Sequence, residues 1–180
     1  MFVVLIIFLW QFSIKPFQIN TNINIADNLV TEKKCDQAFT IMDQVVTQET
    51  FLYSYSRIKY VEFIKNCASF YPENNLAYAK KGVALMKEAV KIRPSYTRLW
   101  IFLGGFTTVI ANLEENTQIK ADLIKEANGY FDKAFQMSPE RQETIIEKAK
   151  LDLVEKNYQK MKADTITCIN INDKLGDCYW

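Results

Sequence analysis

Beyond Asp27 the apolar residues of this chain recur at three- and four-residue spacing for nearly the whole remaining length, a period that only α-helix satisfies. The breaks fall where helices would have to stop: Pro72 with Asn74 and Asn75, Pro94, Glu114-Glu115-Asn116, Ser138-Pro139, and Lys156-Asn157. Helices are therefore expected near 27–47, 51–70, 74–92, 95–112, 117–137, 140–155 and 157–170. Consecutive short helices joined by short connections pack as antiparallel hairpins. Only five Gly and four Pro among 180 residues leave few of the turns that many short strands need, so an all-β fold is excluded. The expected class is all-α, with 49% hydrophobic residues to build a core.

Composition removes several function classes. The chain has no histidine, which excludes Ser-His-Asp triads and His-based metal sites, and no cofactor or metal is expected. A net charge of +1, from 22 basic and 21 acidic residues spread along the chain, provides no footprint for nucleic acid. Cys35, Cys67, Cys168 and Cys178 are scattered without a CxxC pair, so they read first as buried small hydrophobes. An oxidising compartment would allow pairing. Cys168 and Cys178 are nearest in sequence, and spacing alone leaves the pairing open.

Phe2 to Ile14 reads FVVLIIFLWQFSI, uncharged until Lys15 and followed by Pro16. About 20 apolar residues are needed to span a bilayer, and this run is shorter. It also lacks a basic start and a small-x-small cleavage site, so it is a poor signal peptide. The reading that reconciles both is a truncated transmembrane or signal-anchor helix over 1–15, belonging to a longer protein, with Trp10 and Lys15 near the membrane interface. A buried first helix of a soluble bundle is the alternative, but such a helix normally keeps a polar stripe. Pro16 is expected to end the helix, residues 16–26 to form a polar connector, and 27–180 to form the helical domain. The lack of basic residues just after the run points to an extracytoplasmic domain, with the side otherwise open.

The hairpins repeat. Ala127, Phe131, Ala134 and Pro139 form A-x3-F-x2-A-x4-P, and Gly82, Met86, Ala89 and Pro94 follow the same spacing. Weaker echoes stand at Ala38, Met42, Val45, Thr50 and at Met161, Thr165, Cys168, Asp173. Pro139 and Asp173 are 34 residues apart, whereas the other intervals are about ten residues longer, which lengthens hairpins around Pro72-Asn75 and Glu114-Thr117. After Pro94, Trp100, Leu103 and Gly104 complete W-x2-L-G. Small residues at Gly104, Ala127, Ala134 and Ala149 let helices approach, and Trp100, Leu103 and Phe131 fill the space between them. These are packing residues.

Over Asp27 to Trp180 the residues resemble the tetratricopeptide repeat family, which implies a right-handed α-solenoid of about four stacked hairpins, the last leading into a truncated one. A narrower resemblance is to the C-terminal tail of bacterial O-antigen ligase or polymerase-like membrane proteins. It rests on an apolar helix ending in Lys15-Pro16-Phe17, a polar connector, TQETF, and SPERQETIIEKAKLDLVEKNYQKM. In the repeat family the first helix of each hairpin lines a groove through its second, fifth, ninth and twelfth residues. Carried to this chain, these are Arg98, Ile101, Gly105 and Thr108, then Glu143, Ile146, Lys150 and Leu153. Their apolar and singly charged mixture suits a protein or peptide partner. The family's two-carboxylate clamp is absent, because Ile101 and Gly105 stand where its lysine and asparagine would be.

The resemblance implies a protein–protein interaction scaffold tethered to a membrane through residues 2–14, serving a glycan-assembly or cell-envelope protein. The alternative is a free-standing secreted or periplasmic adaptor with a degenerate signal. An enzyme is not expected: Glu143 and Glu147, four apart on one helix, could be imagined as an acid/base pair but read as a solvated face.

Overall fold

A computed structural model describes residues 2–179, and among these there is helix and no strand. The chain divides after Asn74 into two compact units. The first contains α1 (Phe2–Leu9), a π-helical stretch Trp10–Ile14, α2 (Lys15–Thr31), α3 (Cys35–Val46), α4 (Tyr53–Phe70) and a 3₁₀ turn Pro72–Asn74. The second contains α5 (Asn75–Ile92), α6 (Thr97–Leu113), α7 (Thr117–Met137), α8 (Gln142–Val154), α9 (Tyr158–Ile171) and a 3₁₀ turn Gly176–Cys178. Six of the seven expected helices are recovered to within two residues at most ends.

The N-terminal quarter departs from expectation. Pro16 does not end a helix; α1, the π stretch and α2 run on without a break. Proline has no N–H to give the carbonyl four residues back and its ring crowds it, and the helix absorbs this by a wider turn, the Lys15 N–H bonding the Trp10 carbonyl. The expected polar connector 16–26 is helix. Ile19, Ile23, Ala26 and Val30 form an apolar stripe that is buried against α3 and α4. The single helix expected over 27–47 is two, α2 and α3, separated by a turn in which Lys33 has φ 61°.

That turn recurs. Lys156, between α8 and α9, has φ 59°. In both, an N–H reaches the carbonyl five residues back, from Lys34 to Leu29 and from Asn157 to Asp152, each at 2.8 Å. This is the Schellman closure of a helix C-terminus, here with lysine where glycine is usual. Each lysine follows a buried alanine, Ala26 or Ala149, by seven residues and precedes Ala38 or Met161 by five. The first and last hairpins thus share one register, and α2 is the first helix of the first.

The core of the first unit joins that α2 stripe to Ala38, Phe39, Met42 and Val45 of α3 and Tyr60, Val61, Phe63 and Ile64 of α4. The Tyr60 hydroxyl donates to Asp43 at 2.7 Å, which satisfies a fully buried polar group. A disulfide joins Cys35, at the start of α3, to Cys67, near the end of α4.

In the second unit α6 packs against α5, α7 and α8. Its glycines explain the small-residue pattern: a Cβ on Gly104 would lie 2.6 Å from the Phe131 ring, and one on Gly82 would lie 2.7 Å from Phe106. Thr107 and Thr108, buried in α6, return their hydroxyls to the Leu103 and Gly104 carbonyls at 2.8 and 2.9 Å. The extra residues of this hairpin lengthen its helices to 17 and 21 residues, against 13 and 14 for α8 and α9. Beyond Asp173 a 3₁₀ turn packs on α9, and Cys178 is disulfide-bonded to Cys168.

Candidate functional site

The predicted groove residues fall on α6 and α8, two helices that touch within the second unit. They divide into two sets. Ile101 and Thr108 are buried, 1% and 6% exposed, and belong to the packing. Ile146 is half-buried and packs against Ile145, Cys168 and Cys178, so it is also a wall residue. Arg98, Gly105, Glu143, Lys150 and Leu153 keep surface, and Leu153 is 46% exposed.

Charges organise the exposed set. Arg98 reaches across from α6 to Glu143 of α8 at 3.8 Å and lies over the Phe102 ring at 5.2 Å. Arg141, just before α8, holds the other side of Glu143 through its Nη2 at 2.6 Å. One turn on, Lys150 donates to Glu147 at 2.7 Å. Gly105 lies opposite Glu147: a Cβ there would stand 3.1 Å from the carboxylate oxygen. The small residue on α6 thus leaves the α8 carboxylate room.

Glu143 and Glu147, which could have been imagined as an acid/base pair, are each held by cations. Half-exposed ion pairs like these contribute about 0–1 kcal/mol each to stability. Leu153 supplies an apolar contact at one end and the Arg98–Glu143 pair a polar one at the other. Sequence reasoning named Glu147 only in passing and missed Arg141; the four-residue step from Glu143 and the Arg141–Glu143 proximity were the available signals.

Deeper in the last hairpin is a second charged group, with a structural role. Asp152 is fully buried, and Lys160 of α9 reaches it at 2.7 Å. Burial pushes the Asp152 carboxyl above its ordinary range, partly opposed by Lys160. Gln142 closes the end of the hairpin, donating to the Cys168 carbonyl at 2.8 Å and the Asn172 carbonyl at 3.1 Å. Among the described residues no cluster of three or more His, Cys, Asp or Glu side chains could hold a metal.

No protein-family model matches the chain, and no curated protein does. Solved structures do. A tetratricopeptide-repeat protein described as having an unusual peptide-binding site aligns at 12% identity and TM-score 0.46, over 87% of this chain and 88% of that one. A thermophilic tetratricopeptide-repeat protein of Thermus thermophilus aligns at 13% identity and TM-score 0.63, over 86% of this chain and 75% of that one. Only the latter is close enough in shape to argue from, and at that identity the likeness is one of fold: this chain is folded like a tetratricopeptide-repeat protein.

Proposed function

We propose that the chain is a protein-binding helical-repeat scaffold whose α6–α8 face takes a peptide segment of a partner, and that its N-terminal helix tethers it to a membrane on the extracytoplasmic side. The observation that carries the binding role is the ladder Arg98–Glu143, Gly105 facing Glu147, and Lys150–Glu147, ending on exposed Leu153. It offers donors, acceptors and an apolar contact along one face, the mixture that reads an extended or helical peptide.

The tether is supported by exposure. Val3, Val4, Ile6, Ile7, Phe8, Leu9, Trp10, Phe12 and Ile14 are each 44% or more exposed, an apolar surface on every side of the helix. Contiguous apolar surface of that kind marks contact with a membrane or another protein. No helix among the described residues is long and apolar enough to cross a membrane. In this reading the apolar segment lies in the bilayer without traversing it. The extracytoplasmic side is supported by the two disulfides, which persist where the surroundings are oxidising. A role in glycan assembly rests on the sequence resemblance alone.

The test of the groove uses Leu153→Asp with Lys150→Glu, since both side chains are exposed and Ile146 is a packing residue. Affinity capture from a membrane extract, with partners identified by cross-linking at the groove, should lose the cross-linked partner about ten-fold or more in the double variant. Undiminished cross-linking removes this face as the binding site.

A further inference from the structure

The packing of Phe106 and Phe131 explains Gly82 and Gly104, but nothing in the packing explains Gly129. It stands in the middle of α7, where glycine is a poor helix former, and a Cβ there would meet no atom within 4 Å. It lies instead on the edge of an open depression of about 590 Å³, between α6 and α7, together with Trp100 and Tyr130.

The two aromatic rings are fixed. Their centroids are 6.1 Å apart, tilted by 39°. The Trp100 indole N–H is committed to the Pro94 carbonyl at 2.7 Å. The Tyr130 hydroxyl donates to Glu126, which also accepts from Lys87 at 3.1 Å. The polar atoms of both rings are thus already engaged, and the rings themselves line the depression. On α7, Lys125 and Lys133 stand one turn either side of Gly129, about 12 Å apart along the helix. Both are exposed and neither is paired among the described residues. Asp122, on the same rim, is an acceptor engaged among the described residues by Gln118 at 3.4 Å.

We propose that this depression binds an anionic saccharide, its C–H face on Trp100 and Tyr130 above Gly129 and its acidic groups against Lys125 and Lys133. The negative face of an aromatic ring attracts polarised C–H groups, and a ligand rich in hydroxyls can donate to Asp122 while accepting from the lysines. An acidic peptide fits less well. A helix surface offers no ladder for its backbone, and the open depression has no closed pocket for an apolar anchor. The missing side chain at position 129 leaves room for a flat ring over α7.

The test is nuclear magnetic resonance on the full chain, following the Trp100 indole resonance, identified by its loss in Trp100→Phe. Probes are trigalacturonic acid, a neutral galactose trisaccharide, and a Glu-Tyr repeat peptide of equal charge. A saturable shift is expected with the acidic saccharide, about ten-fold weaker with the neutral one. Lys125→Gln with Lys133→Gln should abolish that difference. Gly129→Leu, whose Cβ meets no atom within 4 Å, should keep the helical circular dichroism and melting temperature and lose the acidic saccharide. The proposal is overturned by no saturable shift with either saccharide, by unchanged binding in a folded Gly129→Leu variant, or by tighter binding of the peptide.

Discussion

Lys33 and Lys156 show how a single residue sets the repeat. Each holds a left-handed conformation that costs a side-chain-bearing residue about 1–2 kcal/mol, and each turn closes the preceding helix with a hydrogen bond to the carbonyl five residues back. Glycine relieves the strain. Lys156→Gly is expected to stabilise the chain by about 1 kcal/mol, a melting-temperature rise of roughly 2–4 °C. Lys33→Gly should gain less, because Lys33 also lies over the Phe70 ring at 5.3 Å, a contact worth about 0.5 kcal/mol. Thermal melts of the two variants check the order. Tyr60 makes a second residue-scale prediction. Burial, then its hydrogen bond to Asp43 and that charge, raise its hydroxyl above the ordinary 10.0. A group whose folded pKa is raised contributes stability that is complete below the unfolded value and is lost as pH rises past it. Stability should therefore decline above about pH 10, and less steeply in Tyr60→Phe, as urea titrations across that range would show.

At the scale of elements, the disulfides tie helices that packing alone also joins. Cys35 and Cys67 are 32 residues apart and Cys168 and Cys178 are 10. In the loop-entropy account the longer loop is worth about 4 kcal/mol and the shorter about 3. Replacing each pair by alanine should destabilise in that order in urea unfolding, and equal effects would show that local packing decides instead. The elements themselves were largely legible in the sequence: Pro94, Pro139 and the Asn116 cap mark real helix ends, and Asn116 accepts from the N–H groups of Gln118 and Ile119. The miss at α2 has a physical cause. Asparagines at 20, 22 and 24 have low helix propensity, and they masked Ile19, Ile23, Ala26 and Val30, whose burial overrides it. The turn at Lys33 carries no glycine or proline, so nothing local announced it.

For the whole molecule, the consequence of that miss is that the apolar N-terminal segment continues directly into the first helix of the first hairpin. Its 13 residues from Phe2 to Ile14 extend about 20 Å, against a hydrocarbon core of about 30 Å. The full chain is expected to float with phospholipid vesicles in a density gradient. Ile7→Lys with Phe8→Lys should leave it in the dense fraction while its far-ultraviolet circular dichroism is unchanged. Flotation of that variant would discount the segment as the anchor.

The sequence by itself determined the helical class, the hairpin repeat and the residues that stack hairpins, because spacing at 3.6 residues and small-against-large pairing are local or near-local properties. Only the tertiary structure decided which of the predicted groove residues keep a surface, that Ile101 and Thr108 are packing residues, that four cysteines form two bonds, and that Gly129 faces open space. Each of these depends on what another helix brings within a few ångströms, and a pattern along one chain does not carry that distance.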